Sequence, residues 1–292
     1  MGALIWLASY PKSGNTWMRI FLLNLLRDKN EPLDINKMAS FSPMDAARVW
    51  YEPFASAPLE QLGEPEIARL LPAGHKRITE LRPDPILVKT HNFSGSWHGV
   101  PLQTAAVSAG AVYIVRNPLD VVLSIRGHFG MPDIDRAIGY IANENMGARL
   151  SRERMPEFFR SWSGHVRSWT EKANPKIHVV KYEDLVDAPN THFARISRVL
   201  GIPANDAQIT RAIRFASFEQ LQKQEAEHGF AERAPNSDTF FRQGKSGGWR
   251  ETLTREQVER IIADHHVQMA RFGYIPDDYR DAIPKTSEAP TV

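Results

Sequence analysis

One lysine in this chain stands where anion chemistry is easiest to build. Residues 4–17 read LIWLASYPKSGNTW. The apolar run 4–8 stops at Ser9-Tyr10-Pro11. Lys12 follows, then Ser13-Gly14-Asn15-Thr16, and a second apolar run opens at Trp17. This pattern predicts a buried strand, a tight turn and a helix. A helix start exposes unpaired N–H groups and the positive end of its dipole, so a lysine and small hydrogen-bonding residues there suit a phosphate or sulfate. The lysine precedes the glycine, so the GxxxxGK[ST] spacing of an ATP-binding Walker loop is absent. Alone, these residues fit equally well a plain strand–turn–helix with a surface lysine.

Three further apolar runs end on chemically capable residues. Run 86–88 leads to Lys89-Thr90-His91, run 111–115 to Arg116-Asn117-Pro118, and run 177–180 to Lys181-Tyr182-Glu183-Asp184. After the third of the four runs, Asn117 can cap a helix, Pro118 suits its first position and Asp120 falls in its first turn. After the fourth, Asn190 can cap the run Phe193, Ile196, Val199, Leu200. Strands alternating with helices predict an α/β fold with a central, mostly parallel sheet flanked by helices. Unbroken apolar runs predict strands buried on both faces. Ligands bind beyond the carboxyl ends of such strands, where all four polar clusters fall.

Bulk properties narrow the function classes. The chain has 292 residues, is 42% hydrophobic, and carries 36 Lys+Arg against 34 Asp+Glu. That length supports one large core with insertions. The near-balanced charge gives no support to a nucleic-acid partner, yet a small anion needs only a few placed cations. The absence of cysteine excludes disulfides, thiolate metal sites and cysteine nucleophiles. The apolar runs are too short to span a membrane, and the first lacks a basic leader, so a cytoplasmic protein is expected. The histidines, including His265-His266, show no metal-ligand spacing, and no metal is expected.

Far more chain than one helix needs separates the first two strands, and it holds Trp50, Tyr51 and Phe54. A second insertion, residues 129–172, holds Phe158, Phe159, Trp162, Val166 and Trp169 at roughly helical spacing. Such stripes are usually core, and the alternative is an apolar wall for a second substrate. Residues 219–248 are polar and rich in glycine and proline, which predicts a disordered run or a lid. Thr254 and Gln257 then form a capping box for a helix whose apolar face includes Val258, Ile261, Ile262 and Met269. The reading is one domain over residues 1–281 with a loose polar tail over 282–292.

The order of these clusters resembles the sulfotransferases that use 3′-phosphoadenosine 5′-phosphosulfate (PAPS), closely the cytosolic small-molecule branch, from Ser9 to about Arg250. SYPKSGNTW resembles the family's TYPKSGTTW, KTH at 89–91 its catalytic strand-end motif, and RNPLDVVLS at 116–124 its 3′-phosphate motif. YEDL at 182–185 also matches, ASF at 216–218 resembles TSF, and FFRQGKSGGW resembles FMRKGxxGDW. The resemblance implies a P-loop-type three-layer fold with long acceptor-side insertions. It also implies PAPS as co-substrate, PAP (the desulfated nucleotide) as product, and a small-molecule acceptor.

The same resemblance assigns roles. Lys12 meets the leaving 5′-phosphate, where a cation acts on developing charge, and Ser13, Gly14, Asn15 and Thr16 offer N–H groups to it. Trp17 and Phe218 sandwich the adenine. Arg116 grips the 3′-phosphate through its fork, with Ser124 two helical turns beyond the cap on the same face as Asn117. Tyr182, Ser217, Phe241, Arg242, Gln243 and Gly244 complete the nucleotide site. His91 is the expected general base, a side chain that can take a proton at neutral pH. Lys89 stabilises the transferring group and keeps His91 neutral by like-charge repulsion.

Three positions depart from the family pattern: Ala216 replaces threonine, Gln243 replaces lysine, and Gly248 replaces aspartate. The second removes a charge-assisted hydrogen bond of roughly 1.5–3 kcal/mol, and Lys245 is the candidate to replace it. The family's short dimer motif has no clear match after Trp249, although Glu259 fits one position, so an oligomer is left open. Two alternatives stand beside this reading: a nucleoside-triphosphate kinase on the same general fold, and a catalytically silent nucleotide-binding protein.

Overall fold

The computed structural model describes residues 2–234, 239–242 and 244–284. Its centre is a four-stranded parallel sheet: β1 (Leu4–Ser9), β2 (Ile86–Thr90), β3 (Ser108–Val115) and β4 (Ile177–Lys181), in the order β2-β1-β3-β4. All four strands coincide with the apolar runs. The register aligns Ala8 with Thr90, Ser9 with Ile114, and Val115 with Lys181. Their carboxyl ends therefore emerge along one edge, and the four polar clusters follow there.

The sheet is covered on both faces, which is why its runs do not alternate. Along β3, Tyr113 and Val115 enter one core while Val112 and Ile114 enter the other. The first core is closed by α2 (Leu71–Thr79), α3 (Pro118–His128), α4 (Ile134–Ala142), α5 (Trp162–Thr170) and α10 (Arg255–Phe272). The second is closed by α1 (Asn15–Arg27), α7 (Pro189–Val199), α8 (Asp206–Phe215) and α9 (Phe218–His228). The result is a three-layer α/β fold. Trp162, Val166 and Trp169 lie in the first core, as the usual reading of an aromatic stripe has it. Tyr51 anchors a third, smaller cluster, and Phe54 is exposed.

Several caps follow the local chemistry. The Asn117 side chain accepts from Leu119 N–H with Pro118 behind it. Thr254 and Gln257 form the capping box of α10, whose residues Val258, Ile261, Ile262 and Met269 are fully buried. Asn190 does not cap. Pro189 takes the first turn of α7 and Ala188 the cap position, after a separate short helix α6 (Tyr182–Asp187). Pro189 fixes φ without needing a donor, so the helix starts two residues earlier than the asparagine suggests.

The run 219–248 is not structureless. Its first third is α9, capped by Ser217 accepting from Gln220 N–H. The buried face of α9 carries Gln224 and Glu225 beside Leu221, so hydrophobic periodicity could not reveal it. Glu225 accepts from the N–H groups of Phe240 and Phe241 at 2.7 and 2.9 Å, pinning the far end of the same run. Phe158 and Phe159 precede α5. Glu157–Phe158 instead pairs antiparallel with Gly147–Ala148. Of the expected tail, residues 285–292 lie outside the described residues, and Asp277–Ala282 forms a 3₁₀ segment.

Candidate active site

The β1–α1 turn is a cradle built by strain and close approach. Gly14 holds φ 103°, and a Cβ there would meet the Tyr182 ring at 2.6 Å, so only glycine fits. Lys12 itself sits at φ 67°, uncommon for a non-glycine residue. No side chain caps α1. Ser13 Oγ and Arg116 Nε are buried without partners among the described residues. Buried polar atoms are rarely left so; Ser13 belongs to the turn and Arg116 bonds its Lys12 carbonyl, beside a helix start that suits an anion. Asn15 turns its side chain back to β1, donating to Leu7 O at 2.7 Å and Ser9 Oγ at 3.3 Å. Its contribution to an anion is thus limited to the backbone.

A cavity of about 310 Å³ opens from this cradle. Lys12, Gly14, Asn15, Thr16, Trp17, Lys89, His91, Arg116, Ser124, Tyr182, Phe218 and Phe241 all line it. An adjoining cavity shares Arg116, Ser124, Tyr182 and Phe218 and adds Arg242, Gly244 and Lys245. Ser13 lies beneath the cradle, Ser217 is occupied in capping α9, and Gln243 falls outside the described residues.

Trp17 is half-buried. It donates from Nε1 to Ala216 O at 2.9 Å and packs edge-on against Tyr182 and Phe193. Arg116 donates to the carbonyls of Lys12 (3.0 Å) and Lys245 (3.2 Å) and lies over the Tyr182 ring at 4.3 Å. It thereby couples the β1 turn to the loop after residue 243. Asp120 completes that coupling, accepting from Gly247 N–H at 2.8 Å and Trp249 N–H at 3.2 Å. Arg242 donates to Leu123 O at 2.9 Å, and Gly127 leaves room for its guanidinium, which a Cβ would meet at 1.6 Å.

His91 is half-buried at the cavity wall, and desolvation with the charge of Lys89 holds its pKa well below the ordinary 6.5. It is therefore neutral at pH 7. Its Nδ1 lies 2.8 Å from Ser9 O, an acceptor only, which fixes the proton on Nδ1 and leaves the Nε2 lone pair without a partner among the described residues. Behind it, His165 Nε2 donates to His91 O at 3.1 Å while Tyr113 donates to His165 Nδ1 at 2.9 Å. Lys12 Nζ is 3.4 Å from His128 Nδ1 and 3.9 Å from the Phe240 ring centroid. Burial, then Lys89, Arg242 and Arg116, lower its pKa to about 7. Lys89 Nζ pairs with Glu232 at 3.0 Å, and the other Glu232 oxygen pairs with buried Arg19 at 2.7 Å. Those two cations hold the Glu232 carboxyl far below its usual range despite its burial.

Residues 4–273 match the family described as the sulfotransferase domain. The chain belongs to the sulfotransferase family. It is similar to cytosolic sulfotransferase 13 of Arabidopsis thaliana, 28% identical over 271 residues that cover 87% of this chain and 73% of that protein. It is also similar to sulfotransferase 1A1 of Canis lupus familiaris, 25% identical over 91% of this chain and 83% of that one. A solved retinol dehydratase in complex with androsterone and PAP superposes with a TM-score of 0.62 at 18% identity, covering 98% of this chain and 82% of that chain, which fixes the fold class.

Sequence reasoning missed several residues that line these two cavities of the sulfotransferase fold. Phe240, His128, Glu232, Arg154, Glu157, Phe129 and Tyr140 line the first cavity, and Arg126 the second. Phe159 lines the first cavity as well, so the second insertion serves both core and wall. Glu232 gave no signal because it stands in a polar run, and its partner Arg19 hides inside an apolar helix. An arginine in such a helix is itself the clue, since a buried guanidinium demands a partner.

Proposed function

We propose that this enzyme moves the sulfuryl group of PAPS to a hydroxyl, or an amine, of a small-molecule acceptor by in-line displacement. The observation that carries this reading is the shared cavity of His91, Lys12 and Lys89, with the His91 lone pair left open by the Ser9 carbonyl. The acceptor O–H proton passes to His91 Nε2 as the new O–S bond forms. The S–O bond to the 5′-phosphate breaks, and Lys12 meets the charge that grows there. Cations aimed at developing charge in a water-poor site act on the transition state.

Lys89 stands beside the base, fixed by Glu232, and faces the transferring group. The cradle 13–16, Trp17, Tyr182 and Phe218 take the nucleotide. Arg116, Ser124 and Arg242 take its 3′-phosphate, with Arg126 and Lys245 on the same cavity. Androsterone, the molecule bound by the similar retinol dehydratase, makes an alcohol the first acceptor to assay.

The test is His91→Ala. Turnover from labelled PAPS should fall by about 10²–10⁴-fold, the usual worth of a general base. PAP affinity should stay within about twofold, because no nucleotide contact is assigned to the imidazole. Near-normal turnover in this variant overturns the assignment of the base.

A further inference from the structure

The acceptor side of the first cavity holds a carboxyl group that the transfer chemistry leaves unused. Glu157 lines this cavity with Lys89, His91, Tyr140 and Phe159, and is only 6% exposed. Its backbone is fixed twice: by pairing with Ala148, and by the next residue, Phe158, whose N–H donates to Asn92 Oδ1 at 2.8 Å. The carboxylate accepts no hydrogen bond among the described residues. Its ion pair there, with Arg154 Nη1, is stretched to 4.0 Å. The neighbouring buried acid, Asp45, is by contrast held by Asn92 Nδ2 at 3.2 Å and does not line the cavity. Burial pushes the Glu157 carboxyl upward in pKa, the sign of a group short of donors. A largely buried carboxylate that reaches only a cavity is short of donors, so a rigid one lining that cavity points to a donor on the ligand.

We infer that Glu157 accepts a hydrogen bond from a second hydroxyl of the acceptor, so that this enzyme prefers dihydroxylated molecules over lone alcohols or phenols. This deepens the sulfotransferase reading and rests on it. The charge balance favours a neutral donor over an ammonium. Lys12, Lys89, Arg116 and Arg154 already share the cavity with Glu232 and Glu157, and a further cation beside Lys89 meets repulsion. Phe129, Tyr140 and Phe159 give the carbon frame an aromatic wall. Polar sites of this kind discriminate sharply, because the analogue lacking the hydroxyl leaves the buried group unpaired.

The experiment is calorimetric titration of the PAP-saturated protein with phenol, the three dihydroxybenzenes, cyclohexanol, cyclohexane-1,2-diol and tyramine, alongside kcat/KM for each from PAPS. At least one diol should bind about tenfold or more tightly than its mono-hydroxyl counterpart. Glu157→Leu should erase that ratio with PAP affinity intact. The isosteric Glu157→Gln, which keeps the fold if leucine does not, should shrink it. Equal binding of diols and mono-ols, no detectable binding of any diol, an unchanged ratio in both variants, or preference for tyramine over every diol overturns the inference. A Glu157-dependent diol preference without sulfation supports it and defeats the transferase reading instead. Sulfation without that preference does the reverse.

Discussion

Lys12 is the residue whose chemistry is most exposed to measurement. Burial and the surrounding cations set its pKa near 7, so the ligand-free protein holds it about half charged at neutral pH. A phosphate beside it favours the ammonium and raises that pKa. Binding PAP above pH 7 should therefore take up a proton. The direction follows from linkage: the free lysine has lost its proton there, and the bound one keeps it. PAP affinity should fall as pH rises from 7 to 9, approaching about tenfold per unit while the bound pKa stays above the range. Calorimetry in buffers of different ionisation enthalpy counts the proton directly. Lys12→Met should abolish the uptake as well as weaken binding, whereas uptake surviving in Lys12→Met would move the titration to another group. His91 does not compete for this assignment, since burial and Lys89 hold its pKa well below 6.5, outside the range from pH 7 to 9.

At the scale of elements, the segment after α9 matters through one side chain. Glu232 joins Arg19 of α1 to Lys89 at the end of β2, and its own side chain is only 10% exposed. Glu232→Ala strands two cations in a largely dry site, a loss on the order of 3 kcal/mol for a buried pair broken on one side. The expected outcome is a clear drop in the thermal midpoint and a fall in kcat, because Lys89 loses its anchor. PAP affinity should change less, since Arg116 and Arg242 are untouched. An unchanged thermal midpoint would mean that the triad carries no net stability. The four strands and their polar ends were legible because burial on both faces writes an unbroken apolar run, and a turn must follow it. Cap chemistry was legible where the side chain itself bonds, as at Asn117 and Thr254. It misled at Asn190, where Pro189 moved the helix start. Helix α9 was illegible because two of its three buried residues, Gln224 and Glu225, are polar, which leaves Leu221 without an apolar period around it. The acceptor wall was illegible for a different reason. Phe159 stood in the aromatic insertion, but Phe129, Tyr140 and the segment 157–159 are far apart in sequence and meet only in three dimensions.

For the molecule as a whole, the question is how one site manages so much negative charge. Lys12, Lys89 and Arg116 line the first cavity, and Arg116, Arg126, Arg242 and Lys245 line the second. Two of these cations tie the site's elements together: Arg116 donates to the carbonyls of Lys12 and Lys245, and Arg242 to that of Leu123. A phosphoryl-transfer enzyme assigns much of this task to Mg²⁺ bridging adjacent phosphates. In the proposed reading, these side chains take that task at both phosphates of a 3′,5′-bisphosphorylated nucleotide. Turnover with PAPS should therefore be indifferent to excess EDTA. The nucleotide itself should stabilise the fold: at 100 times its dissociation constant, PAP adds about 2.7 kcal/mol, which raises the thermal midpoint by several degrees in a domain of this size. That shift should persist in EDTA, and ATP with Mg²⁺ should produce less of it at equal concentration. A shift or turnover that appears only with Mg²⁺ would instead place this cradle with the nucleoside-triphosphate kinases. The lysine-before-glycine order of PKSGNT would then have to serve a triphosphate without the Walker spacing that normally wraps one.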